Sequence, residues 1–217
     1  MRYLTIAILP LQQIKKALST AMMAAALLFS TASNAALIPL NLEASPDIFS
    51  SFITVNYNAG TDLLTASGFA TAYFDGISGN GIEGGSFSLN ATITDAGILS
   101  GGSLNIGGTI AALGFNSGTL LSGVITALGF DGAGGDPLEF LFSVTGGDLA
   151  AAYGGVGGTG GTILTNSGLP AGLFANNFQN AAFSGLADVG VPVPEPAGLL
   201  LLSSGLLGLI VLRRRRG

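Results

Sequence analysis

The sequence predicts an all-β body, either an antiparallel β-sandwich or a barrel-like meander. Three observations carry this prediction. Short runs alternate apolar and polar residues with period two, glycine, asparagine and aspartate punctuate them, and helical three-four spacing is scarce. Ile53, Val55 and Tyr57 alternate with Thr54 and Asn56. Phe87, Leu89, Ala91 and Ile93 alternate with Ser86, Ser88, Asn90, Thr92 and Thr94. Leu104, Ile106, Gly108 and Ile110 repeat the theme, as do Phe140, Phe142 and Val144. Alternation puts an apolar row on one sheet face and a Ser/Thr/Asn row on the other. The apolar face must be covered, so the sheet packs on another or closes on itself.

The order of these runs argues for a meander. Gly85-Ser86-Phe87-Ser88-Leu89, Gly102-Ser103-Leu104-Asn105-Ile106 and Gly118-Thr119-Leu120-Leu121 begin alike at intervals of about 16 residues, and Leu113-Gly114-Phe115 returns as Leu128-Gly129-Phe130. Connectors such as Asp95-Ala96-Gly97 and Asn116-Ser117-Gly118 tolerate left-handed backbone and suit tight hairpins. A solenoid is the competing reading, but three loose copies are too few and too degenerate for one. Proline is nearly absent from the strand-like part, so the sheet edges need some other protection. Tyr153-Gly154-Gly155-Val156-Gly157-Gly158-Thr159-Gly160-Gly161 is low in complexity and reads as a flexible loop. Thr162-Ile163-Leu164 is a further strand candidate. Leu173 to Val189 gives few signals and reads as irregular.

Charge distribution narrows the function classes. All seven basic residues lie at the ends, as Arg2, Lys15, Lys16 and Arg213 to Arg216, and all acidic residues lie between Glu43 and Glu195. The body from Ala36 to Gly190 is therefore purely anionic. It offers nothing to nucleic-acid phosphates, so a nucleic-acid partner is excluded. The chain has no Cys, so no disulfide framework exists, and burial and backbone pairing must hold the body together.

The chemistry of the body is equally restricted. Without His, Cys or Lys there is no Ser-His-Asp or Cys-His system, no Schiff-base lysine and no zinc site of His or Cys ligands. Asp131, Asp136 and Glu139 are the carboxylates that could attack a glycosidic bond, but the Trp, His and Arg that usually line such clefts are missing. Gly154 to Gly161 has no following Lys, so it is no phosphate cradle. The body is expected to be non-enzymatic and to need no cofactor. Asp131-Gly132-Ala133-Gly134-Gly135-Asp136 is a weak calcium candidate through Asp131 and Asp136, and it reads more simply as a polar turn. Sugar binding is the alternative function: polar outer faces for hydrogen bonds, with Tyr57, Tyr73 and Tyr153 as stacking groups.

The ends of the chain are targeting segments. Residues 1–35 read as a secretory signal peptide: Lys15 and Lys16 close a basic n-region, Ala17 to Phe29 is apolar, and Ser33 and Ala35 supply the small residues before a cut between Ala35 and Ala36. The Sec translocon is the expected partner. Residues 191–217 contain three devices in a row. Pro194, Glu195 and Pro196 form a stiff extended joint. Ala197 to Leu212 is an apolar run suited to a short membrane-crossing helix. Arg213, Arg214, Arg215 and Arg216 stop transfer and, by the positive-inside rule, stay in the cytoplasm.

This tripartite end resembles the PEP-CTERM sorting signal of Gram-negative bacteria that make exopolysaccharide. Val193-Pro194-Glu195-Pro196-Ala197, the glycine-spotted leucine run and the terminal arginines carry the resemblance. It implies that a membrane-embedded exosortase recognises Pro194-Glu195-Pro196 and processes the chain there. It also implies an inner-membrane intermediate, a final place at the cell surface or in a biofilm matrix, and exopolysaccharide as a neighbour. Phrases in the body, such as Ser67-Gly68-Phe69-Ala70 and Thr145-Gly146-Gly147-Asp148-Leu149, are similar to those of other PEP-CTERM proteins and imply no activity.

Overall fold

The computed structural model describes residues 37–193 apart from residue 172. The predicted signal helix, the Ala35/Ala36 cleavage point, the Pro194–Pro196 joint, the Ala197–Leu212 helix and the arginines lie outside the described residues. Ten strands run β1 (Leu42–Asn58), β2 (Leu63–Phe74), β3 (Gly79–Gly81), β4 (Glu83–Ile93), β5 (Leu99–Ile110), β6 (Phe115–Gly129), β7 (Leu138–Gly146), β8 (Thr159–Thr165), β9 (Phe178–Gln179) and β10 (Gly185–Pro192).

Eight of them close into an antiparallel barrel. β1, β2, β4, β5, β6, β7, β8 and β10 pair in chain order, and β10 returns to β1. Two short strands finish the seam: β3 pairs with the end of β2 at Ala72–Phe74, and β9 pairs with β1 at Asn56–Tyr57. Of the two predicted architectures, the barrel-like meander is the one that forms. The repeated phrases are successive strands, with Phe87 opposite Ile106 and Ile106 opposite Leu121. Closure also answers the edge problem without proline, because a barrel has no free edge.

The predicted apolar rows point inward. Ile53, Val55, Tyr57, Phe87, Leu89, Leu104, Ile106, Phe140, Phe142 and Val144 are buried in one continuous core. Eight strands enclose a space that side chains just fill, so large residues must face small ones. Phe142 shows how. It pairs with Gly160 on β8 and lies diagonal to Gly123 on β6; a Cβ on Gly160 would collide with its ring, and one on Gly123 would stand 2.5 Å from it. Gly85 is similarly obligatory, since a Cβ there would run into the Ala70 carbonyl.

Both ends of the barrel are stoppered by a tyrosine. At one end Tyr57 donates to the Ile93 carbonyl at 2.7 Å, and its ring meets Phe174 and Phe178 with centroids 5.1 and 5.2 Å away. Phe130 completes this aromatic group against Phe174. At the other end the β7–β8 connection folds inward, burying Leu149 and Tyr153, and Tyr153 donates to the Val189 carbonyl at 2.7 Å.

Two sequence expectations are overturned. The glycine-rich stretch 153–161 is an ordered part of the fold. Gly155 donates to Ala150 and Gly157 to Val144, both at 2.8 Å, and Thr159, Gly160 and Gly161 begin β8. Gly160 makes room for Phe142, and Gly158 for the Tyr153 carbonyl. The region Leu173–Val189, expected to be irregular, holds the barrel strand β10. Its inward residues Gly185, Ala187 and Val189 are small, while Leu186 and Asp188 point outward, so no clean apolar row marks it.

The half-buried strand reading has a direct check. Ile106 is fully buried and Asn105, beside it, is exposed. Ile106→Asp should abolish the cooperative melt, because an unpaired interior charge costs several kcal/mol, on the order of the whole stability of a domain. Asn105→Asp should leave the melting curve nearly unchanged. Circular dichroism of the two variants of residues 36–193 measures both.

Candidate functional site

The wall formed by β10, β1 and β2 differs from the rest of the barrel. On β4 and β5, for comparison, the outward rows are Ser86, Ser88 and Asn90, and Ser103 and Asn105. On this wall Phe49, Phe52, Phe69 and Phe74 project outward, with Leu186 on β10 and Phe183 just before it. Register makes them neighbours: Ser51 lies opposite Phe69, Phe49 opposite Ala72 on one side and Asp188 on the other, and Asp47 opposite Phe74. Phe183, Phe52 and Phe69 are 63%, 58% and 52% exposed, so one wall of the barrel gathers several exposed aromatic rings.

Local geometry holds the strip outward. A register shift in β1 between Ser50 and Ile53 places Phe52 at φ 54°, and Phe183 has φ 62°. Left-handed backbone is unfavourable for a bulky L-residue. Burial is no compensation here, because both side chains face solvent. The sequence does contain a signal for Phe69: it stands in phase with the outward Thr65 and Ser67. Phe49-Ser50-Ser51-Phe52 breaks alternation at the β1 bulge, so period-two reading misses it.

Two carboxyls sit inside this wall. Asp47 and Asp188 flank Phe49 on adjacent strands, and each has a buried oxygen, Oδ1, with no hydrogen-bond donor facing it. Burial, then the hydrogen bond to Asp188 and its charge, push the Asp47 carboxyl up to about 8. A proton held between the two acids satisfies oxygens that two carboxylates would leave facing one another. Burial also raises the Tyr153 and Tyr73 hydroxyls, with nearby acids adding to it.

The C-terminal exit adjoins the same wall. β10 pairs with β1 up to Leu42–Pro192, and the Val193 amide donates to the Asn41 carbonyl at 2.7 Å. The ladder thus holds the chain to the residue before Pro194. Among the described residues no helix is long and apolar enough to cross a membrane; the apolar run 197–212 lies outside them.

The remaining predicted site residues are dispersed into structural roles. Asp131 accepts from the Ala133 amide at 2.9 Å and shapes a turn. Asp136 accepts from the Ser167 amide at 2.8 Å and its hydroxyl at 2.7 Å, tying two connections together. Glu139 is buried on the outside of β7 beneath residues 38–40, and its two oxygens accept from the Ile38 amide at 2.6 Å and the Leu40 amide at 3.1 Å. Among the described residues no three acidic, His or Cys side chains gather in metal-ligand geometry. Tyr57, Tyr73 and Tyr153, proposed from sequence as sugar-stacking groups, are all buried inside the barrel. Strand parity turns them inward, and the exposed rings are phenylalanines.

The fold and its exit define a closed eight-stranded barrel whose last strand runs directly into a C-terminal signal. The family model for the PEP-CTERM protein-sorting motif matches residues 192–216, so the chain carries a PEP-CTERM sorting domain. The motif implies export, a membrane-anchored intermediate and processing by an exosortase. No curated protein and no solved structure matches the chain.

The acid pair makes stability depend on pH in a defined direction. Asp47 titrates near its ordinary 3.8 when unfolded and near 8 when folded. The folded state keeps a proton that the unfolded chain releases, so this contribution is complete below 3.8 and disappears as pH rises through about 8. The melting temperature should fall across that window. Asp47→Asn, which keeps a donor facing Asp188 at every pH, should flatten the slope, and calorimetry at a series of pH values measures it.

Proposed function

We propose that the chain is a non-enzymatic surface or matrix protein, exported by the Sec translocon as a β-barrel cargo. In this reading Ala197–Leu212 holds it in the inner membrane with Arg213–Arg216 inside, and an exosortase processes it at Pro194-Glu195-Pro196. The observation that carries the reading is the coincidence of two boundaries. The sorting motif begins at residue 192, which is the last residue of the last barrel strand. The described body therefore ends where the recognition joint starts, and proline is disfavoured in helix interiors and central strands.

The non-enzymatic reading is supported by how the acids are used. Asp131, Asp136 and Glu139 serve backbone amides and a serine hydroxyl in three separate places. Hydrolysis of a glycosidic bond needs two carboxyls facing one substrate. The polar outer rows suit an exported protein in a hydrated polysaccharide matrix.

In a host bearing an exosortase, the full chain should lose its arginine tail and move beyond the inner membrane. Changing Pro194, Glu195 and Pro196 to alanine should leave full-length protein in the inner-membrane fraction. Immunoblotting of fractions with a tag placed after Gly217 reads both, and normal export of the triple variant would refute the assignment. In spheroplasts of the variant strain the same tag should resist external protease.

A further inference from the structure

The wall that carries the exposed phenylalanines includes β10, the strand from which the chain leaves the barrel, and the connection there is short. Three residues, Pro194, Glu195 and Pro196, separate Val193 from Ala197. Four trans peptide steps reach at most about 15 Å. If the apolar run spans the bilayer, the end of β10 is held close to the lipid surface, and some part of the barrel has to face it. We propose that, while tethered, the barrel rests on the bilayer through its β10–β1–β2 wall, with Phe49, Phe52, Phe69 and Phe183 at the level of the lipid headgroups. This rests on the membrane-spanning reading above.

Three further observations favour lipid as the occupant. First, the wall reaches the exit at its Phe49 and Phe74 end, since Asp47, opposite Phe74, also pairs with Gly190, two residues before Pro192. Second, the contact is one-sided. A barrel that crosses a membrane is apolar all round and polar within, whereas this one is apolar within, and its exposed phenylalanines gather on this one wall. It can lie on a bilayer but not cross it. Third, no Lys, Arg or His occurs from Ala36 to Val193, so attachment cannot rely on anionic headgroups and must come from apolar side chains entering the interface. The strained backbone at Phe52 and Phe183 holds outward two rings that contribute little to the barrel's own stability.

The chain has no native cysteine, so single labels can be placed cleanly. The full chain is reconstituted in phosphatidylcholine vesicles that carry a quencher attached at headgroup depth. An environment-sensitive dye is placed on Phe69→Cys, on Phe183→Cys, or on Val124→Cys, an exposed apolar position on β6 across the barrel. Quenching should be several-fold stronger at 69 and 183 than at 124 and should persist in high salt. Equal quenching at all three positions, in protein that resists alkaline extraction, would overturn the wall contact and leave the span standing. Protein that washes off in alkali would overturn both. Quenching that is absent at 69 and 183 while their dyes become shielded as protein concentration rises would overturn the proposal in favour of a second copy. Melting curves confirm that each variant is folded, and the Phe183 site lies outside the strand ladder should Phe69→Cys disturb it.

Discussion

Everything in this molecule depends on one closure, the pairing of β1 with both β2 and β10. β1 is the first strand, β2 follows it, and β10 is the last, so the join brings the two ends of the body together. The chain has no disulfide, and its described part has no basic side chain to form an ion pair. Backbone ladders and the apolar interior therefore carry the stability. An eight-stranded interior has a fixed width, and that width decides which residues are tolerated. The glycines around Phe142 and the small inward residues of β10 are consequences of that limit, as is the inward turn of Tyr153.

Much of the fold was legible because period-two alternation depends only on which face is buried. It located β4, β5 and β7 and the core residues on them, and it identified the meander. It failed where the barrel's width overrode the pattern. Gly160 and Gly161 read as loop because they carry no side chain, yet both are strand residues: Phe142 fills the space beside Gly160, and Leu42 packs over Gly161. β10 was hidden because its inward row is Gly185, Ala187 and Val189. The tyrosines illustrate a different limit. Residue type suggested surface stacking, but parity along β1 and β2 put Tyr57 and Tyr73 inside, and parity was the better guide.

The candidate site divides in the same way. The sorting motif over residues 192–216 was legible as a motif, since the order of proline joint, apolar run and arginines needs no fold. The phenylalanine strip was not, because it exists only once β10, β1 and β2 lie side by side. Phe69 and Phe183 are separated by most of the chain and become neighbours through the closing seam. The acid pair is likewise a product of register: Asp47 and Asp188 meet only because Gly190 pairs with Asp47 and Asp188 with Phe49. Isolated in sequence, neither acid differs from any other.

The seam also sets a schedule. Chains emerge from their N-terminus, whether from the ribosome or through a translocation pore, and β1 emerges first. Its edge toward β2 is satisfied almost at once, but its other edge waits for residues 185–192, the last of the body. Contacts this far apart in sequence form slowly. When Pro192 arrives to pair with Leu42, the next residues to pass are the proline joint and the apolar run. The strand that can close the barrel and the sorting signal thus emerge in immediate succession. A chain whose signal has come through therefore already has every barrel strand available to pair.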